Sequence, residues 1–183
     1  MEELESNNIW DYVRVYNIMP YKFCQGLIQE YDGDDQWQKN FWYSHGVQSQ
    51  YDDKELDVRF STASVELDPY IDQAITEYCE ETPYLYRDQI KEWSAPRLNR
   101  YSEGTMMRDH VDLIRRHKRD GVPVLSILGL LNDNFEGGEF YMRGEHLRLQ
   151  AGDIIVFPST YLYPHEVKEI TQGCRWSWVV WAY

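Results

Sequence analysis

From Pro123 to its C-terminus the chain is cut into short apolar segments by turn residues, and this punctuation narrows the fold more than any other feature of the 183 residues. The segments are PVLSILGLLND (123–133), EFYMRG (139–144), HLRLQAG (146–152), IIVFP (154–158), HEVKEI (165–170) and RWSWVVWAY (175–183). NDNFEGG, RGE, QAGD and TQG punctuate them. Each segment has the length and the β-branched or aromatic content of a strand, while Gly, Asn and Asp supply the turns. Six or more short strands so closely spaced predict a sandwich or small barrel. A hydrophobic fraction of 43%, with 7 Trp, 15 Tyr and 6 Phe, is enough to fill its core.

The first hundred residues read differently. After Pro20, YKFCQGLIQEYDG places Phe23, Leu27 and Tyr31 on one helical face and ends at Gly33. Val65 to Tyr78 repeats the pattern with Leu67, Ile71, Ala74, Ile75 and Tyr78. Residues 37–61 between them read as irregular or as short strands. The length fits one domain, with a helical part over about 1–95 packed on the outer face of a β unit over about 96–183.

Charge and segment composition exclude several functions. A net charge of −13 repels nucleic acid and anionic membranes. No apolar run is long enough to span a bilayer, and MEELESNNIW has neither the basic start nor the apolar middle of a signal peptide. Cys24, Cys79 and Cys174 form neither a disulfide framework nor a CxxC pair, so a reducing cytoplasm is expected.

The stretch DHVDLIRRHK (109–118) carries the chemistry. In a strand, i and i+2 face the same side about 6.7 Å apart, so His110 and Asp112 can converge on one ion. His165, directly after Pro164, is the candidate third ligand. Two imidazoles and one carboxylate leave coordination positions open, a set suited to non-haem Fe(II). His-x-Asp alone is a weak signal, since surface residues pairing with the nearby arginines would look the same. Arg175 strengthens it. It lies ten residues after His165 across ITQG, so two antiparallel strands joined there bring both into one interior. A buried guanidinium needs an anion, and its fork matches a carboxylate. Ser177 faces the same way and can add a hydroxyl, although an ion pair of Arg175 with Glu166 or Glu169 is the alternative.

Taken in order, these pieces resemble the iron(II)- and 2-oxoglutarate-dependent dioxygenases, and more narrowly the prolyl 4-hydroxylase branch. The resemblance runs from about Pro20 to Tyr183 and is densest from Leu98. RLNRYSEGTMMRDHVD (97–112), LLNDNFEGGEFYM (130–142), AGDIIVFPS (151–159), HEV (165–167) and GCRWSWVVW (173–181) carry it. It implies a double-stranded β-helix, or jelly roll, with Fe(II) held by His110, Asp112 and His165. It further implies that Arg175 binds the distal carboxylate of 2-oxoglutarate, that Tyr101 hydrogen-bonds this cosubstrate, and that Trp181 sits near the metal. Met107 and Leu130 stand where members of the branch often carry Tyr, so the hydroxyl partner of the distal carboxylate is expected from Ser177 or Ser126.

The implied reaction is hydroxylation of a C–H bond by O2, with 2-oxoglutarate decarboxylated to succinate and with ascorbate as a possible support. A prolyl residue in a peptide or protein is the substrate the branch implies. An amino acid, a lysyl group or a small metabolite is the enzymatic alternative, and an inactive jelly-roll binding module the non-enzymatic one. A nucleobase demethylase of the superfamily would carry a second arginine where this chain has Trp181. Met107, the basic residues Arg115 and Arg116, and Trp42 with Arg59 are the candidate substrate contacts. The oligomeric state is left open.

Overall fold

Two helices form where the helical spacing places them. The computed structural model describes residues 8–44, 47–49, 54–60, 64–113 and 121–183. Helix α1 spans Tyr21–Tyr31 and starts directly after Pro20, which lacks the N–H that a helix start would leave unsatisfied. It buries Cys24, Leu27 and Tyr31. Helix α2 spans Ser64–Glu81, and Leu67, Ile71, Ala74, Ile75 and Tyr78 are each at most 1% exposed.

The strands follow in short pieces. The N-terminal half supplies β1 (Arg14–Asn17), β2 (Gln38–Lys39), β3 (Trp42–Ser44), β4 (Val47–Ser49) and β5 (Asp57–Phe60). Next come β6 (Arg97–Tyr101), β7 (Met107–His110), β8 (Leu125–Leu130), β9 (Glu136–Gly137) and β10 (Phe140–Met142). The chain closes with β11 (Glu145–Leu147), β12 (Asp153–Pro158), β13 (His165–Val167), β14 (Ile170–Gln172) and β15 (Arg175–Ala182).

Among the described residues, seven strands form a large sheet in the order β1-β12-β8-β15-β6-β5-β2, and four form a small sheet in the order β11-β10-β13-β7. The chain alternates between them: β6 to β7, β8 to β10, β12 to β13, then β15. That alternation is the jelly roll expected of the β unit. Tyr101, Ile155 and Phe157 of the large sheet meet Met107, Phe140, Met142 and Val167 of the small one in an apolar cluster between the sheets.

The other face of the large sheet carries the helices. Leu27, Tyr31, Leu67, Ile71 and Ile75 pack there with Ile127, Val156, Trp176, Trp178 and Val180. Strand β15 is therefore buried along its whole length, so its sequence reads as an almost unbroken apolar run. Trp178, fully buried, packs directly over Gly129 of β8, where a Cβ would stand 2.2 Å from the indole. Truncating such a tryptophan to alanine costs about 3–5 kcal/mol.

The N-terminal part also supplies strands to the large sheet: the short strands expected within 37–61 form, and β1 precedes them. Strand β1 pairs with β12, Arg14 opposite Val156, and β5 pairs with β6, Val58 opposite Asn99. These strands are four residues long, too short for a period of two to stand out, and their partners lie far along the chain.

Candidate metal centre

Strands β7 and β13 are antiparallel neighbours, and their register sets His110 directly opposite His165. The two imidazole centroids are 4.3 Å apart. Asp112 lies two residues past His110 and is 4% exposed. Its Oδ1 is 3.6 Å from His110 Nε2 and its Oδ2 is 3.7 Å from His165 Nε2. One ligand atom from each of the three residues lies within 4.8 Å of the others.

Backbone carbonyls fix the tautomers. His110 Nδ1 donates to the Arg108 carbonyl at 2.7 Å, and His165 Nδ1 donates to the Tyr163 carbonyl at 3.1 Å. A carbonyl only accepts, so each Nδ1 carries the proton and each Nε2 presents its lone pair to the shared point. Burial, and then the neighbouring His165, lowers the His110 pKa to about 4, which keeps that lone pair available. Burial alone would raise the Asp112 carboxyl. The flanking imidazoles, a hydrogen bond from Ser126 and the Arg97 charge overcome it and hold the group below its ordinary value. Two neutral imidazoles and one carboxylate, converging with open positions, fit a ferrous ion.

Arg175 opens β15 in the same interior. It is 3% exposed, and burial lowers its pKa. Its Nη1 donates to Ser177 Oγ at 3.0 Å, and its guanidinium lies 5.1 Å from the Tyr101 ring centroid. Neither glutamate named as an alternative reaches it: Glu166 pairs with Lys168 at 2.6 Å, and Glu169 with Lys54 at 2.5 Å. Among the described residues, Arg175 is a buried cation with no carboxylate partner. It lines a cavity of about 290 Å³ together with Leu130, Phe140, His146 and Arg148. Gly138 packs against Ile170 and the Arg175 stem: a Cβ there would stand 2.3 Å from Ile170 Cδ1 and 3.3 Å from Arg175 Cδ.

The remaining expected residues divide by strand register. Tyr101, opposite Arg175, also lines the metal cavity with Met107. Trp181 shares the interior face of β15 with Arg175 and Ser177, by alternation. Ser126 does not serve the Arg175 end. It sits opposite Trp181, six residues and about 20 Å along β15 from Arg175, where it bonds Ser159 Oγ at 2.7 Å and interacts with Asp112. Trp42 stands edge-on to His110 with centroids 5.2 Å apart, and its Nε1 donates to the buried Glu55 at 3.0 Å. Arg59 faces away from the metal ligands. Val58 takes the inward face of β5, so Arg59 turns to the helix side, pairing with Asp34 at 2.6 Å and stacking on Tyr31. Arg115 and Arg116 lie outside the described residues.

Two side chains at this site were not anticipated. Asn99 and Arg97 precede Tyr101 on the same face of β6, and both line the metal cavity. Asn99 is 2% exposed, and its Oδ1 has no hydrogen-bond partner among the described residues. Counting back from Tyr101 in steps of two finds both once the inward face of β6 is known.

Residues 96–183 match the family model of the 2OG-Fe(II) oxygenase superfamily. The match covers the β portion of the chain, from just before β6 to its last residue. This match and the His110–Asp112–His165 cluster together imply Fe(II), 2-oxoglutarate and O2. A PKHD-type hydroxylase of Methylobacterium nodulans is 40% identical over 97 residues, which are 48% of this chain and 42% of that protein. A PKHD-type hydroxylase of Cupriavidus pinatubonensis is 36% identical over 96 residues, 47% of this chain and 41% of that one. The matched region thus spans about two fifths of these curated relatives.

Among solved structures, a Trichoplax adhaerens prolyl hydroxylase in complex with a hypoxia inducible factor peptide superposes with a TM-score of 0.72 at 15% identity, covering 94% of this chain and 84% of that one. A Pseudomonas putida prolyl-4-hydroxylase superposes with a TM-score of 0.69 at 17% identity, covering 93% and 92%. At such identities the likeness establishes the fold, the double-stranded β-helix. No helix among the described residues is long and apolar enough to cross a membrane.

Proposed function

We propose that this chain is an Fe(II)- and 2-oxoglutarate-dependent hydroxylase and that its substrate is a prolyl residue in a peptide or protein. One observation carries the reaction class: a His–Asp–His cluster with preset tautomers shares an interior with a buried arginine that has no carboxylate partner among the described residues. The prolyl hydroxylase neighbours, one of them solved with a peptide, support the substrate class.

His110, Asp112 and His165 would hold the iron, which with 2-oxoglutarate and O2 supplies an oxidant able to convert C–H to C–OH while releasing succinate and carbon dioxide. Arg175 and Ser177 bind the far carboxylate of the cosubstrate through charge-assisted hydrogen bonds. Tyr101 lies between that anchor and the metal cavity, and Asn99 offers its amide beside it. Phe140, Leu128 and Val179 line the same cavity and exclude water from it. Trp42 covers the His110 ring, and Met107 borders the substrate.

The test is incubation with Fe(II), 2-oxoglutarate and a proline-containing peptide library, with and without ascorbate. Succinate should form only in the presence of the metal, and proline should gain the mass of one oxygen atom. Succinate formation that survives His165→Ala overturns the reaction class, whereas oxygen transfer to a residue other than proline overturns the substrate alone.

A further inference from the structure

We propose that Ser159 and Ser126 form a directional hydrogen-bond relay that holds the Asp112 carboxylate in place for the metal. Ser126 is the positioning residue, and Ser159 sets the direction in which its hydroxyl points. The inference rests on the metal-site reading above and adds to it two residues that act through Asp112.

The three ligands are not held alike. His110 and His165 are register partners in the ladder of β7 and β13, and each ring is tied to a carbonyl. Asp112 lies two residues past the end of β7, where that pairing has stopped. What its side chain meets must therefore place it. Ser126 hydrogen-bonds the carboxylate from β8, a strand of the large sheet. The bond ties a ligand that follows the small sheet to the opposite layer of the jelly roll.

The direction of the relay follows from counting protons. A serine hydroxyl has one proton to give, and an ionised carboxylate only accepts. Ser126 gives its proton to Asp112. In the 2.7 Å contact between Ser126 Oγ and Ser159 Oγ, the proton is therefore the one on Ser159. Ser159 follows Pro158, the last residue of β12, and its own N–H donates to the Val124 carbonyl at 2.9 Å. That bond anchors the start of the relay to the segment leading into β8.

The surroundings strengthen both links. Ser126 is 0% exposed and Ser159 1% exposed. The strand partners of Ser126 are Phe157 on β12 and Trp181 on β15. Water does not compete in such a place, and a hydroxyl that accepts one hydrogen bond donates a stronger one. Burying two hydroxyls among apolar neighbours opposes folding unless they are paired. Alanine would fill either position without that cost, but it would leave Asp112 without its donor.

The test uses the full chain and two readouts that need no turnover: calorimetric titration with Mn(II), and the absorption bands of bound Co(II). Ser126→Ala should weaken Mn(II) binding by roughly 10- to 100-fold, the usual cost of losing an outer hydrogen bond to a ligand. It should also shift the Co(II) bands, because the carboxylate is then free to turn. Ser126→Thr keeps the hydroxyl and should restore most of the affinity. Ser159→Ala should cause a smaller loss than Ser126→Ala. The double variant should bind no more weakly than Ser126→Ala, since removing the first link costs nothing once the second is gone. Ser126→Cys, with a weak donor of similar size, replaces the Ala variant if that one fails to fold.

Unchanged Mn(II) affinity or unchanged Co(II) bands in Ser126→Ala overturn the proposal. So does a lowered Tm of the metal-free variant with Mn(II) affinity intact, which would make the pair a packing feature. Losses that add in the double variant overturn the relay, because the two serines would then act separately. Failure of the underlying metal-site reading looks different: Mn(II) would not bind wild type, or would bind His165→Ala equally well.

Discussion

His110 and His165 face each other as register partners across β7 and β13, with each Nδ1 atom tied to the carbonyl two residues earlier in the chain. The cluster is therefore organised before any ion arrives. Removing one ligand should weaken Co(II) or Mn(II) binding by at least about 100-fold, since loss of an outer hydrogen bond alone costs 10- to 100-fold. His165→Ala should show this by equilibrium dialysis. At 100 times its Kd the metal should stabilise wild type by about 2.7 kcal/mol, and a chelator or the His165→Ala change should abolish the corresponding rise in Tm.

Arg175 should show two effects of opposite sign. Arg175→Met removes charge-assisted hydrogen bonds to 2-oxoglutarate worth about 1.5–3 kcal/mol each, so cosubstrate affinity should fall by tenfold or more while metal affinity holds. The same change replaces a buried cation that lacks a carboxylate partner among the described residues with an apolar chain of similar length. The ligand-free protein should gain about 1–3 kcal/mol in denaturant unfolding. Unchanged cosubstrate affinity would remove Arg175 from the site.

Gly137 is required by its backbone. Its φ is +74°, and a Cβ there would stand 2.3 Å from the Glu169 carbonyl oxygen. Gly137→Ala should cost about 1–3 kcal/mol, measured by thermal melting. It should also weaken 2-oxoglutarate binding, because the neighbouring Gly138 packs against the stem of Arg175.

Trp42 reports on the metal. Its ring lies 5.2 Å from that of His110, so Co(II) binding should quench its fluorescence. Trp42→Phe should lose that part of the quench. It should also destabilise the fold by about 1–2 kcal/mol, because the buried Glu55 then keeps its bond from Asn40 at 3.2 Å but loses the one from the indole. A quench of unchanged amplitude would mean another tryptophan is the reporter.

Much of the site was legible because its signals are local. His165 and Arg175 are ten residues apart and Ser177 follows by one strand period, so the trio could be grouped before any fold was known, although β13 and β15 are not the joined antiparallel pair expected: they lie in different sheets, with β14 between them. Ser126, Arg59 and Asn99 could not. Ser126 looked equivalent to Ser177, and only the pairing of β8 with β15 sends it to the metal end beside Asp112. Arg59 looked like a groove residue, and only the facing of β5 turns it toward α1. Asn99 went unnoticed because a polar residue within a strand implies nothing until its face is known to be interior.

Local pattern was enough to set the two helices, the short strands from β8 onward, and the residue types able to hold iron and a dicarboxylate. Helical period and turn chemistry act over a few neighbouring residues, so they survive in the linear order of the chain. Long-range pairing settled the rest: β1 closing against β12, Glu55 capping Trp42 over His110, and Arg97 entering the metal cavity across from Val179. Those contacts depend on which strands lie side by side and in what register. That choice is made by the packing of two sheets around a common core, a property of the whole chain that no short stretch of it contains.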